Sequence, residues 1–297
     1  MYKVRQLASN LRTKTLLLLS FLMCGAHGME AQSLKPNFEI GLLGGLAFYN
    51  GDLAPETFGD YFQEVGPAVG VYGRYSFNPY FAARLGLTYA IVAADDEYSA
   101  RPERELSFRA PLFELALTGE FSPFVFGTPY ETPLFAPYLT AGIGLFTFRP
   151  ETRFEGEWVE LQPLGTEAQG LPGYPEKYSR TQLNIPLGAG LRVVLNDTWT
   201  VGLEFVARKL FTDHLDDVSD AEVNYRDLIQ GNGVLAAQLS NKQVDPAATD
   251  NFDFTYRRGG PAEDWYYTAA LTVGYRLWQG SGKGRGKFPR GPVCPAF

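Results

Sequence analysis

The stretch TQLNIPLGAGLRVVLNDTWTVGLEFVARKL, residues 181–210, decides the fold. Leu183, Ile185, Leu187, Ala189, Leu191, Val193 and Leu195 take every second position, against Gln182, Asn184, Gly188, Gly190 and Arg192. After Asn196-Asp197 the alternation resumes: Trp199, Val201, Leu203, Phe205 and Ala207 against Thr200, Gly202, Glu204 and Arg208. Period two sends successive side chains to opposite faces of a strand. The stretch therefore reads as a hairpin of two long strands, each with one apolar face.

Working outward, the pattern recurs in residues 38–49, 65–77, 81–91, 113–121, 135–145 and 267–277. Eight strands are predicted. Each reaches the ~9–11 residues that cross a bilayer at a tilt, against ~5–6 for an average soluble strand. One face is aliphatic, with aromatics toward its ends. The other holds Gly, Thr and Tyr, with Glu39, Glu114, Glu120 and Glu204 and the arginines Arg74, Arg84, Arg192, Arg208 and Arg276. A membrane barrel turns the first face to lipid, and a soluble barrel or sandwich turns it inward. The connectors choose between them. Long segments (about 50–64, 95–106, 149–179 and 212–262) alternate with Asn78-Pro79, residues 123–133 and Asn196-Asp197. Outer-membrane barrels sort short periplasmic turns from long extracellular loops, which puts both termini in the periplasm. An eight-stranded barrel is narrow, so the nine charges are predicted to form a lumen ion network rather than line a pore.

Composition agrees. The 297 residues have a net charge of −7, which argues against nucleic acid as the main partner, and 14% are aromatic, which suits pleated faces. Residues 1–28 read as a signal peptide: Lys3, Arg5, Arg12 and Lys14, then the apolar run 15–23 and Ala26-His27-Gly28, with cleavage as late as residue 31 as the other option. Met23 is too large for the position before a lipidated Cys24. The barrel is assigned to residues 36–278. Residues 279–297, with Lys283, Arg285 and Lys287, form a basic, flexible periplasmic tail.

Several strings exceed generic barrel character: FEIGLLGGLAFYNGDL (38–53), WVELQPLGTEAQG (158–170), NIPLGAGLR (184–192), TDHLDDVS (212–219) and RRGGPAEDWYY (257–267). In order and spacing the chain resembles the PorG-type outer-membrane proteins of Bacteroidota, associated with the type IX secretion system. The resemblance spans residues 36–278 and departs from the family pattern at His214, where the family has Tyr. It implies a non-enzymatic barrel that anchors or organises a periplasmic ring of secretion subunits.

Other chemistries are weaker. Asp213, Asp216, Asp217 and Asp220 are candidate calcium ligands, but lack EF-hand spacing; an acidic loop accepting backbone N–H bonds is the plainer reading. His214, between Asp213 and Asp216, is the candidate base of an outer-membrane hydrolase, but no Ser motif accompanies it. No phosphate loop, nucleotide fingerprint or cofactor motif is present, and no small-molecule substrate is expected. Phe124, Phe126 and Tyr130, with Lys283, Arg285 and Lys287, are the candidate partner-binding residues; the alternative for the phenylalanines is an aromatic girdle in the lipid interface. The rival functional reading is a general outer-membrane anchor or adhesin whose loops do the work.

Overall fold

The computed structural model describes residues 37–124, 126, 134–244, 252–261 and 263–279. The predicted signal peptide and residues 280–297 of the predicted tail lie outside these residues. All eight predicted strands are present: β1 (Asn37–Asn50), β2 (Gly66–Ser76), β3 (Phe81–Asp95), β4 (Ser107–Phe121), β5 (Leu134–Phe148), β8 (Thr181–Val194), β9 (Trp199–Leu210) and β12 (Trp265–Gln279). Between them lie the short strands β6 (Glu151–Phe154), β7 (Glu157–Glu160), β10 (Glu222–Asn224) and β11 (Thr255–Arg257). Each long strand pairs antiparallel with its neighbours in the order β3-β2-β1-β12-β9-β8-β5-β4. Fifteen paired positions between β3 and β4, from Phe81 opposite Phe121 to Asp95 opposite Ser107, close the ring. The fold is a closed eight-stranded antiparallel meander.

The facing follows the alternation. Leu42, Ile143 and Leu271 are 63–65% exposed, whereas Glu39 and Glu114 are 1% exposed. Such a belt of bare aliphatics is a surface for hydrocarbon, not water. Aromatics border it at both ends. Tyr75 and Phe77, Phe81 and Phe121, and Trp199 and Tyr275 pair near the short turns. Tyr89 and Phe113, and Phe205 and Tyr267, pair toward the other end. Rings at these depths suit the two interfaces of a bilayer. Two of the short turns use one device. Asn78 Oδ1 accepts the N–H groups of Tyr80 and Phe81, and Asn196 Oδ1 those of Thr198 and Trp199.

The structure differs from the sequence reading at the long-loop end. β4 begins at Ser107, six residues before the predicted start at Phe113. Its even positions face inward throughout, but the residues on them change kind. Phe108, Ala110 and Leu112 are apolar and buried, and Glu114 and Glu120 follow them. Outside, Arg109 and Pro111 precede Phe113, Leu115 and Leu117. Both faces thus exchange polarity near Leu112, where the strand leaves hydrocarbon and water covers its outer side. The barrel consequently has two storeys. Charges fill the part nearer the short turns. Tyr49, Ala90, Val92, Phe108, Phe146 and Tyr266, among others, form an apolar core near the long connections.

Two predicted long loops are folded. Residues 149–179 contain the β6–β7 hairpin, joined to the barrel by Arg109 opposite Glu151. Residues 212–262 contain the β10–β11 pair and two short helices, Tyr225–Asn232 and Val234–Ser240. Tyr225, Leu228 and Ala237 centre a second small core, with Tyr225 stacked on Phe252 and Phe254.

Two outcomes test the fold. The closed ladder leaves no strand edge in the membrane, so boiled and unboiled protein should migrate differently on a semi-native gel. Leu187→Arg, on the exposed apolar belt, should lower folding stability in bilayers by about 2–4 kcal/mol. Leu187→Phe should fold normally, as read from the same gel shift.

Candidate functional site

Two polar assemblies stand out, one inside the barrel and one across its mouth. Inside, Arg74 Nη1 lies 3.1 Å from Glu39 Oε1, and its Nε lies 3.1 Å from Glu120 Oε2, an ion pair without hydrogen-bond alignment. Arg192 Nη2 reaches the same Glu120 oxygen at 2.8 Å. Arg84 Nη1 meets Glu204 Oε2 at 2.5 Å, and Arg208 Nη2 meets Glu114 Oε2 at 3.1 Å. Asn184 donates to Glu114 at 2.7 Å, and Arg208 also donates to Thr268. Arg276 stands opposite Glu39 in the β1–β12 register, but its buried Nε has no hydrogen-bond partner among the described residues. Eight of the nine predicted charges are thus joined in ion pairs, and Arg276 borders them.

Two tyrosines complete the network, and sequence reading had not assigned them roles. Tyr72 and Tyr138 hydroxyls donate to Glu39 (3.1 Å) and Glu204 (2.9 Å). Arg84 lies over the Tyr72 ring at 4.1 Å, and Arg192 over Tyr138 at 4.9 Å. Each ring lies across a glycine on the next strand. A Cβ on Gly41 would come within 2.2 Å of Tyr72, and one on Gly190 within 2.3 Å of Tyr138. These glycines admit the rings that hold the charges. The cavity remaining among Glu39, Arg74, Glu120 and Arg192 is about 10 Å³, room for about one water. The lumen there is filled.

Across the mouth, the motif strings converge. The Tyr49 hydroxyl sits 2.6 Å from Asp216 Oδ2 and 2.9 Å from Asp264 Oδ1. A phenol has one proton, so both contacts are hydrogen bonds only if one carboxyl is protonated. Burial pushes both acids well above the usual range, and for Asp264 the charge of Asp216 adds to it. Asp216 Oδ1 accepts the Val218 N–H, and Asp264 Oδ2 accepts the Leu215 N–H. Asp217 accepts the hydroxyls of Thr166 and Tyr178. Glu167 accepts the N–H and hydroxyl of Ser219 at 2.8 and 2.6 Å. Arg258 donates to the Asp217 carbonyl and Thr166 Oγ1, both at 2.7 Å. Asp52 accepts the Gly260 N–H at 2.8 Å. Segments near residues 52, 166, 217 and 260 are thereby tied into one cap.

The acidic string is therefore a cap of buried acceptors. Asp216 and Asp217 are buried and turned to different partners, whereas Asp220 is exposed. Among the described residues no group of three or more His, Cys, Asp or Glu is placed to hold a metal ion. His214 packs against Tyr178 at 4.5 Å, and burial lowers its pKa. Ser219 is committed to Glu167, so the structure does not assemble a His–Ser pair. Glu167, Arg258, Asp264 and Asp52 are working residues that sequence reasoning missed. Their signal was a charged residue inside a Gly-containing, non-periodic string. At the opposite end Phe124 and Phe126 are exposed, and Phe126 pairs with Phe135 in an antiparallel bridge with rings 5.9 Å apart. That contact favours the girdle alternative for Phe126. Tyr130, Lys283, Arg285 and Lys287 lie outside the described residues.

These features define a class: a membrane-spanning eight-stranded β-barrel with a filled lumen and a folded cap. Residues 14–238 match the family described as "Domain of unknown function (DUF6089)", and the chain belongs to that family. Comparison with curated proteins finds no match. Among solved structures, the chain is similar to the outer membrane protein OprG from Pseudomonas aeruginosa. Identity is 14%, covering 82% of this chain and 99% of that one, with a TM-score of 0.41. It is also similar to Neisserial surface protein A, at 11% identity over 81% of this chain and 97% of that one, TM-score 0.40. The N-terminal β-barrel domain of Pseudomonas aeruginosa OprF is similar at 11% identity, with 81% and 97% coverage and a TM-score of 0.34.

The two assemblies give separate predictions. Arg208→Leu strands the Glu114 carboxylate at 1% exposure and should cost about 3–5 kcal/mol in urea unfolding. Glu114→Leu combined with Arg208→Leu should recover most of that loss. In the cap, burial pushes Asp213 up to about 7. From about pH 4 upward the closed cap holds protons that an opened cap has released, so its stability falls as pH rises through about 7. Cleavage within residues 212–244, normalised to an unstructured peptide, should be faster at pH 8 than at pH 5. Asp213→Asn should flatten that difference.

Proposed function

We propose that this protein is a non-enzymatic outer-membrane barrel of the type IX secretion system, anchoring or organising a periplasmic ring of secretion subunits. The observation that carries the reading is the cap. NGDL, PLGTEAQG, TDHLDDVS and RRGGPAEDWYY, which carry the resemblance to PorG-type proteins, meet in it through Asp52, Glu167, Asp216, Asp217, Arg258 and Asp264. The resemblance therefore rests on strings that meet in one hydrogen-bonded cap, not on strand periodicity, which any barrel shares. A filled lumen directs the work to the two ends.

In this reading the short turns and both termini face the periplasm and the cap faces outward. The ring docks on the segment around Phe124 and Phe126 and on the basic tail. Phe124 is 62% exposed and is the apolar anchor of this surface, Phe126 beside it lies where the girdle meets it, and the tail's charge would steer an acidic partner. A general anchor or adhesin would instead use the cap.

The experiment is cross-linking and co-purification from the native membrane. Phe126→Asp together with deletion of residues 281–297 should reduce ring subunits recovered per barrel several-fold, with unchanged barrel abundance. Full recovery of ring subunits with that variant would exclude this surface. If wild-type barrel yields no ring subunits at all, the secretion reading fails and the anchor reading stands.

A further inference from the structure

The cap holds a cavity of about 110 Å³, apart from the lumen. It is large enough for several water-sized groups. Arg104, Arg257 and Arg258 line it together with Ser240, Asn241 and Tyr256. They come from three separate places: the connection after β3, the end of the second helix and strand β11. The described lining carries three guanidinium groups and no carboxylate.

The arginines meet their acids elsewhere and leave donors unused. Arg104 spends Nη1 on the Arg258 carbonyl and Nη2 on Asp96 and the Asp52 carbonyl. Arg258 spends Nη1 on Thr166 and the Asp217 carbonyl. On both, the Nε–H is buried and has no acceptor among the described residues. Arg258 is itself only 4% exposed. A buried donor left unmade is unfavourable, and an anionic acceptor in the cavity would remove that penalty. Arg257 is 56% exposed, donates to the Asp220 carbonyl and pairs with the exposed Glu222 at 3.2 Å, and forms the solvent-facing rim of the cavity. The Ser240 and Tyr256 hydroxyls, 2.6 Å apart, add a polar wall. Planar guanidinium groups converging on one space suit a phosphate better than a flat carboxylate, because its oxygens point in several directions.

We propose that this cavity is a binding site for a phosphate group. The same chemistry comes from two sources, free inorganic phosphate or the phosphate of a glycan or lipid headgroup at the cell surface. The site is independent of the secretion reading.

The test uses the full mature chain in nanodiscs, titrated calorimetrically at constant ionic strength with inorganic phosphate and with glucose 1-phosphate. At least one probe should bind saturably. Arg257→Gln should weaken binding at least tenfold. Asn241→Asp, which keeps the oxygen that accepts the Gln243 N–H while adding a negative charge, should abolish it. Arg153→Gln, on the distant β6, should change nothing. The heat-shifted gel and an intact cap by proteolysis establish that each variant is folded. Binding at least tenfold tighter for glucose 1-phosphate assigns the site to a phosphorylated glycan or headgroup. Equal or tighter binding of inorganic phosphate assigns it to the free anion. No saturable binding of either probe, or affinities unchanged in folded Arg257→Gln and Asn241→Asp, overturns the proposal.

Discussion

A strand in hydrocarbon has no water to satisfy its backbone, so a sheet that crosses a membrane cannot keep an edge. The β3–β4 pairing meets that constraint here, and the rest of the structure depends on it. Closing eight strands fixes a narrow diameter. A narrow lumen lets charged side chains reach across to one another and leaves little room for water to solvate them. Every inward carboxylate must therefore find a cation. Glu204 finds Arg84, which is 120 residues away in sequence and on a strand that is not its neighbour. Glu120 is shared by Arg74 and Arg192. The pairs thus stitch the barrel across its interior as well as neutralise it.

The same constraint explains what the sequence disclosed. Lipid on one side and a packed lumen on the other impose period two over whole strands, so all eight long strands were legible. The set of lumen charges was legible too, because Glu and Arg stand out on a face of Gly and Thr. Their pairing was not, since it depends on which strands oppose one another across the lumen. The first half of β4 escaped notice for a local reason. At Leu112 the medium outside changes from hydrocarbon to water, and the apolar residues change faces while the alternation continues. A reading tuned to one apolar face loses the strand there. The strands β6, β7, β10 and β11, at three or four residues each, are too short to show a period at all.

The cap shows a harder limit. Asp216, Asp217 and Asp220 lie within five residues and look equivalent in sequence. Two are buried acceptors and one faces solvent. What separates them is hydrogen bonding to Tyr49, Thr166 and Tyr178, residues 39 to 167 positions away. The motif strings hinted at this in a different form. A segment without periodicity that mixes glycines with buried charge is specified by its partners, so it must match them in sequence.

The two ends of the barrel then differ in kind. At the mouth, polar groups are turned inward on one another, with Asp216 and Asp264 joined through the Tyr49 hydroxyl in a buried cluster. At the other end two turns are minimal, each closed by one asparagine, and among the described residues of the third connection Phe124 and Phe126 are exposed. Phe126 rests on Phe135 of the girdle, so it is held at the height where lipid gives way to water. The filled lumen ties the two ends together: ion pairs from Arg74 to Glu120 and from Arg84 to Glu204 cross the interior between strands that are not neighbours, so the closed ladder is braced from within as well as around its wall.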